Sequence, residues 1–377
     1  MRRPVAALIA ALAALRRPLA VLRRRLLPAA LLALALPACH SDAGAMPAGA
    51  ADTAQDEAAQ DEAAQDEAAQ DPVDQAQLRQ ALGSLQPQRP GVPDLYVVGF
   101  AGDASEDVFR NEVLYLRQMF TQRFGAAGRI ATLINHGDNL GAHAYAPQAS
   151  YDNLADTLDR IGKLMDKRED ALLLFLTSHG TEQHELYLQF GPGEDAEYDT
   201  ITPQELRRLL DDAGIRNRII VISACYSGGF VPALKTADTL VITAARRDRP
   251  SFGCGNTASA TYFGRAWLID ALAHTTDLVD SYRLASAEIS AREQAEGEAP
   301  SYPQLYVGAR IGAWLQHWRA QLPNAAAPVY PYPEPDADDA VTATDGEPDH
   351  APGTTQTTAP PAPAKPALPP STAAPAQ

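Results

Sequence analysis

A chain of 377 residues allows two or three domains at roughly 150 residues each, but both ends carry the composition of unfolded chain, and one core of moderate size remains. The formal charge of −16 has the wrong sign for phosphate backbones, which need clustered Lys and Arg, so nucleic acid is not an expected partner. Much of that charge lies outside the core: residues 52–71 hold eight acids and no base, and the stretch after Leu322 holds seven acids against Lys365. Three cysteines cannot form a framework of bridges.

In chain order, the first segment is basic and then apolar. Arg2, Arg3, Arg16, Arg17, Arg23, Arg24 and Arg25 precede the run Leu26 to Leu36, and Leu34-Ala35-Leu36-Pro37-Ala38-Cys39 closes it. This resembles a bacterial lipoprotein signal, with a Leu, a small residue and then the Cys to be lipidated. The apolar run is shorter than the about 20 residues that span a bilayer. Residues 1–39 are therefore expected to be a signal segment, and the protein an exported cell-envelope lipoprotein, membrane-anchored through Cys39 and facing the periplasm or the cell surface. Residues 40–92 are expected to be an acidic tether. Their Asp-Glu-Ala-Ala-Gln repeat over 54–71 has a five-residue period that matches no helical stripe and leaves nothing apolar to bury. Residues 324–377, rich in Pro, Ala, Thr and acids, are expected to be a disordered tail.

Between them, 93–323 alternates strand-like and helix-like segments. Leu95 to Phe100 reads as a buried strand. Glu106 to Phe124 reads as a helix with Val108, Val113, Leu116, Met119 and Phe120 near one face. Ile130 to Ile134 is a strand, Tyr151 to Lys167 a helix, and Ala171 to Leu176 a strand. Thr202-Pro203-Gln204-Glu205 is a helix start, with a capping Thr, a Pro at the first helical position and a Glu at the capping-box site. That helix runs to about Ala213. Strands follow over Ile219 to Ile222 and Leu240 to Thr243, then helices over Tyr262 to Ala273 and Leu278 to Ala295. Strands joined by helical crossovers predict an α/β fold, a mostly parallel sheet flanked by helices on both faces in a single folded domain.

Two strand ends carry chemistry. Ala171 to Leu176 closes on Thr177-Ser178-His179-Gly180, and Ile219 to Ile222 closes on Ser223-Ala224-Cys225-Tyr226-Ser227-Gly228-Gly229. Parallel strands bring their carboxyl ends to one edge, where a thiol and an imidazole 46 residues apart can meet. Cys225 is the candidate nucleophile and His179 the acid and base. The backbone N–H groups of Gly180 and Cys225 are candidates for an oxyanion hole, since a Gly after the His allows close backbone approach. A buried core cysteine is the ordinary alternative for Cys225. His184 follows His179 by five residues in a loop, without the helical spacing and Glu of zinc peptidases, so no metal and no cofactor are expected. Ser227 lacks the first Gly of a serine-hydrolase elbow. His136 and His143 read as polar loop residues, and Cys254 as a small buried hydrophobe that could mispair with Cys225 under oxidising conditions.

The segments Phe175-Leu176-Thr177-Ser178-His179-Gly180, Ser223-Ala224-Cys225-Tyr226-Ser227-Gly228, Thr243-Ala244-Ala245, Phe252-Gly253-Cys254 and Thr261-Tyr262-Phe263-Gly264, in this order, resemble the legumain family of cysteine peptidases. These are relatives of the caspases, whose His lies about 50 residues before the Cys. The opening Gly99-Phe100-Ala101-Gly102-Asp103 is similar to the bacterial branch. The resemblance implies a caspase-like fold, a polypeptide substrate and endopeptidase activity through a Cys225–His179 dyad and a thioester acyl-enzyme. It also implies a mixed pocket for the residue before the cut, and here the sequence departs. No Arg-His pair occurs over Glu106 to Asn111, Ser223 stands where the family has an acid two residues before the nucleophile, and Arg265 replaces the acid after Gly264. A pocket built on Ser223, Arg265 and Arg110 is expected to favour an acidic side chain. The Asn that orients the His in the family has no match, although Glu106 and Asp107 lie near its place. A transpeptidase of the same family and a non-catalytic envelope binding protein on the same fold are the rival readings.

Overall fold

The computed structural model describes residues 72–334 apart from 194–195 and 256–257, all within one compact unit. The signal segment, Cys39 and the acidic repeat lie outside the described residues. The sheet is built on β1 (Leu95–Ala101), β2 (Ile130–Ile134), β3 (Ala171–Thr177), β6 (Asn217–Ser223), β7 (Thr239–Thr243) and β8 (Gln304–Val307), in the spatial order β2-β1-β3-β6-β7-β8. All neighbours pair in parallel except β8, which runs antiparallel to β7. A separate antiparallel hairpin, β4 (Leu186–Gln189) with β5 (Tyr198–Ile201), follows the His179 loop.

The central strands are apolar on both faces because both are covered. Val97, Leu173, Phe175, Ile219, Val221 and Ile242 face one layer. That layer holds α2 (Asp107–Gln122), a π-helix over Gly264–Ala271 with a last turn Leu272–His274, α6 (Leu278–Glu296) and α7 (Ile311–Arg319). Tyr96, Val98, Leu172, Leu174, Ile220 and Ile222 face the other. It holds α1 (72–83), α3 (Tyr151–Leu164), α4 (Pro203–Asp212) and α5 (Val231–Leu234). Each fully buried aliphatic or aromatic side chain contributes about 1.5–3 kcal/mol of transfer free energy, so this double-faced burial is the main source of cohesion. The capping box at α4 is present: Thr202 Oγ1 accepts from Glu205 N at 3.2 Å and Glu205 Oε2 accepts from Thr202 N at 3.1 Å.

The folded part is longer than 93–323. Helix α1 falls in the stretch read as tether, with Leu78 and Leu85 buried under the sheet. Residues 324–334 pack Ala327 and Tyr330 against the opposite layer.

Candidate active site

Chain direction fixes where the site lies. From β1 the chain steps outward to β2 and then crosses to the other side of β1 to form β3, and such a switch opens a crevice at the carboxyl ends of the strands. Glu106 follows β1, His179 follows β3 and Cys225 follows β6 at this edge. The last β3–β6 pair is Thr177 with Ser223, so His179 and Cys225 each stand two residues beyond a matched register position. Ser178 N continues the ladder to Ser223 O at 3.2 Å.

The two loops abut at Gly180. A Cβ there would stand 2.1 Å from the carbonyl oxygen of Cys225, so only glycine fits without displacing the Cys225 backbone. Among the described residues no acceptor takes the N–H of Gly180 or of Cys225, which leaves both donors for a ligand. The Cys225 side chain is partly exposed, with Ser251 beside it: Ser251 N donates to Sγ at 3.3 Å and Ser251 Oγ lies 3.7 Å away. Sγ also lies 3.5 Å from Ser251 O. Tyr226, next in the chain, holds φ 55° in the left-handed region, and its N–H donates to Arg249 O at 2.8 Å.

His179 is oriented from two sides. Its Nε2 lies 3.1 Å from Glu106 Oε1, and its ring meets Phe109 edge-on at 5.2 Å between centroids. Nδ1 is the other ring nitrogen. Glu106 is itself fixed by Gly255 N, which donates to Oε2 at 2.8 Å. Burial opposes charge on both groups. It is outweighed at His179 by the hydrogen bond and charge of Glu106, with Asp103 adding to them, so the imidazole pKa is raised. At Glu106 the hydrogen bond and charge of His179, with Gly255 N, overcome burial and lower the carboxyl pKa.

Beneath the pair lies a buried carboxylate that sequence reading did not single out. Glu112 accepts from Thr177 Oγ1 at 2.7 Å, Thr261 N at 2.8 Å and Thr261 Oγ1 at 2.7 Å, and Thr261 Oγ1 also meets Ser223 Oγ at 3.1 Å. Ser223 is therefore buried and committed to this network. Complete burial raises the Glu112 pKa, although the hydrogen bonds from Thr177 and Thr261 and the charge of Arg265 pull the other way.

The two cations named from sequence are both paired. Arg110 donates to Asp138 Oδ2 at 2.8 Å and lies 3.2 Å from Asp107 Oδ1 and 3.3 Å from His136 Nδ1. Arg265 donates to Ser259 Oγ at 2.9 Å, forms an ion pair with Glu334 and sits over the Tyr330 ring. Both charges are balanced by carboxylates. His136 is buried against Asp107, with Nε2 2.7 Å from Oδ1. His184, at φ 67°, packs its ring on Gly229, bracing the His179 loop against the Cys225 loop. Cys254 is partly buried against the core, and burial, with the Glu106 charge next, pushes its thiol pKa up. Among the described residues no three His, Cys, Asp or Glu side chains are arranged to hold a metal ion.

Residues 154–313 match the Peptidase C13 family. No curated protein matches the chain. Among solved structures, the crystal structure of caspase-1 from Spodoptera frugiperda is similar at a TM-score of 0.38 and 13% identity, over 59% of this chain and 93% of that one.

Proposed function

We propose that the chain is a cysteine-type peptidase of the Peptidase C13 family, whose model matches residues 154–313, and that it cleaves polypeptides internally through a Cys225–His179 pair. The observation that carries this reading is the abutment of the two motifs: Thr177 pairs with Ser223, and Gly180 lies against the Cys225 carbonyl.

The Cys225 thiolate attacks the scissile carbonyl carbon, forming a C–S bond and moving the π electrons onto oxygen. The free N–H groups of Gly180 and Cys225 are the donors for that oxyanion. Collapse breaks the C–N bond, and the leaving amine takes a proton from the His179 imidazolium. His179, now neutral, accepts a proton from water as its oxygen attacks the thioester, which releases the acid and restores the thiolate. Glu106 holds the imidazole in place and supports its charged form in the first half of this cycle. Hydrolysis of a mixed peptide pool by the reduced full chain is expected to vanish in Cys225→Ala. Retained cleavage in that variant would contradict the assignment.

Arg265 is the cation that would meet an acidic side chain before the cut. We also read the protein as exported and anchored through Cys39, on the basic-apolar segment that precedes Leu34-Ala35-Leu36-Pro37-Ala38-Cys39. Labelled fatty acid is expected to be incorporated into the full chain and lost in Cys39→Ser. Unchanged labelling of that variant would remove the anchor.

A further inference from the structure

Composition predicts no order after residue 323, yet 323–334 run back along α2 as a strap. Arg123 donates to Ala325 O at 2.5 Å, and the Tyr115 hydroxyl donates to Pro328 O at 2.9 Å. The Tyr330 ring stands edge-on to Tyr115, and its hydroxyl donates to Ser259 O at 2.7 Å. At the end of the strap, Glu334 accepts from Ser259 N and from Ser259 Oγ, each at 3.0 Å, and pairs with Arg265.

Ser259 belongs to the connection between β7 and the π-helix, and this connection supplies much of the site. Ser251 contacts the Cys225 sulfur, Gly255 N holds Glu106, and Thr261 binds Glu112. A loop that must place backbone donors within hydrogen-bonding distance of a nucleophile is ineffective if it drifts by an ångström. We propose that Glu334 is a positioning residue for the peptidase. It clamps the β7–π-helix loop through Ser259 and balances the charge of Arg265, so that the strap sets both the rate of cleavage and its preference between acidic and neutral residues.

The geometry is that of a clamp and not of a plug. Among the described residues the strap's polar contacts end at Ser259 and Arg265, while Cys225 and His179 both keep exposed surface. Charge-assisted hydrogen bonds to a carboxylate are among the stronger ones, and Glu334 makes three contacts of this kind or near it.

This inference rests on the peptidase reading, and the test separates the two. In the full chain, Glu334→Ala is expected to lower kcat/KM for a peptide with Asn before the cut about tenfold, and to raise the Asp-to-Asn ratio about fivefold as Arg265 is released. Amide exchange at 251–255 and 258–262 is expected to quicken. Glu334→Gln keeps an acceptor for Ser259 but not the charge, so it is expected to recover most of the rate while keeping the raised ratio. A faster rate on every peptide in Glu334→Ala would make the strap a plug and overturn the proposal. So would an unchanged ratio with unchanged exchange. Exchange is read without turnover, so a wild-type chain that cleaves nothing would sink the peptidase reading and still leave the clamp decided.

Discussion

Burial works against a charged imidazole at His179, yet Glu106 at 3.1 Å outweighs it, and this balance sets how the site should respond to pH. A raised His pKa keeps the imidazolium, the proposed proton donor for the leaving amine, to higher pH than an unpaired His near 6.5 would. Glu106→Gln removes the charge that supports it, so the alkaline limb of kcat/KM is expected to move to lower pH, and a limb that stays or rises would contradict this role. The linkage has two signs. The stabilisation from His179 is present below its unfolded pKa and lost as pH rises through the raised folded value. That from Glu106 is present above the ordinary carboxylate range and lost as pH falls through its lowered value. Tyr226 adds a cost of about 1–2 kcal/mol for a left-handed non-glycine residue, held by its bond to Arg249 O directly after Cys225.

Elements with strong local signals were legible before any coordinates. The apolar runs of β1, β3, β6 and β7, the stripe of α2 and the Thr202–Glu205 box all read directly, because each writes its signal within a few consecutive residues. The same logic placed His179 and Cys225 at one edge. The β4–β5 hairpin and β8 were not legible, being four residues each with mixed exposure, and α1 was masked by the acidic repeat beside it. Glu112 escaped for a different reason. Its partners Thr177 and Thr261 come from distant segments, and a single acid inside an amphipathic helix reads as a solvated face until packing encloses it. Its enclosure also explains Gly264, where a Cβ would lie 2.0 Å from Glu112 Oε1. Leaving such a buried carboxyl group without its donors would cost roughly 1–3 kcal/mol per unsatisfied group, which makes this network a rivet between the ends of β3 and β6 and the start of the π-helix.

The whole molecule separates its charge from its chemistry. Most of the unbalanced acid lies in 52–71 and after Leu322, while the cations at the crevice are matched one for one or better by Asp107, Asp138 and Glu334. One acid of the tail, Glu334, therefore packs on the domain through Ser259 and Arg265. Among the described residues no helix is long and apolar enough to cross a membrane. The claim on which all else depends is that His179 activates Cys225. The most direct measurement is the intact mass of the reduced full chain after treatment with a panel of peptide acyloxymethyl ketones. The expected result is one adduct, mapped to Cys225, that disappears in His179→Ala. An adduct of equal yield in His179→Ala, or one mapped to Cys254, would contradict it.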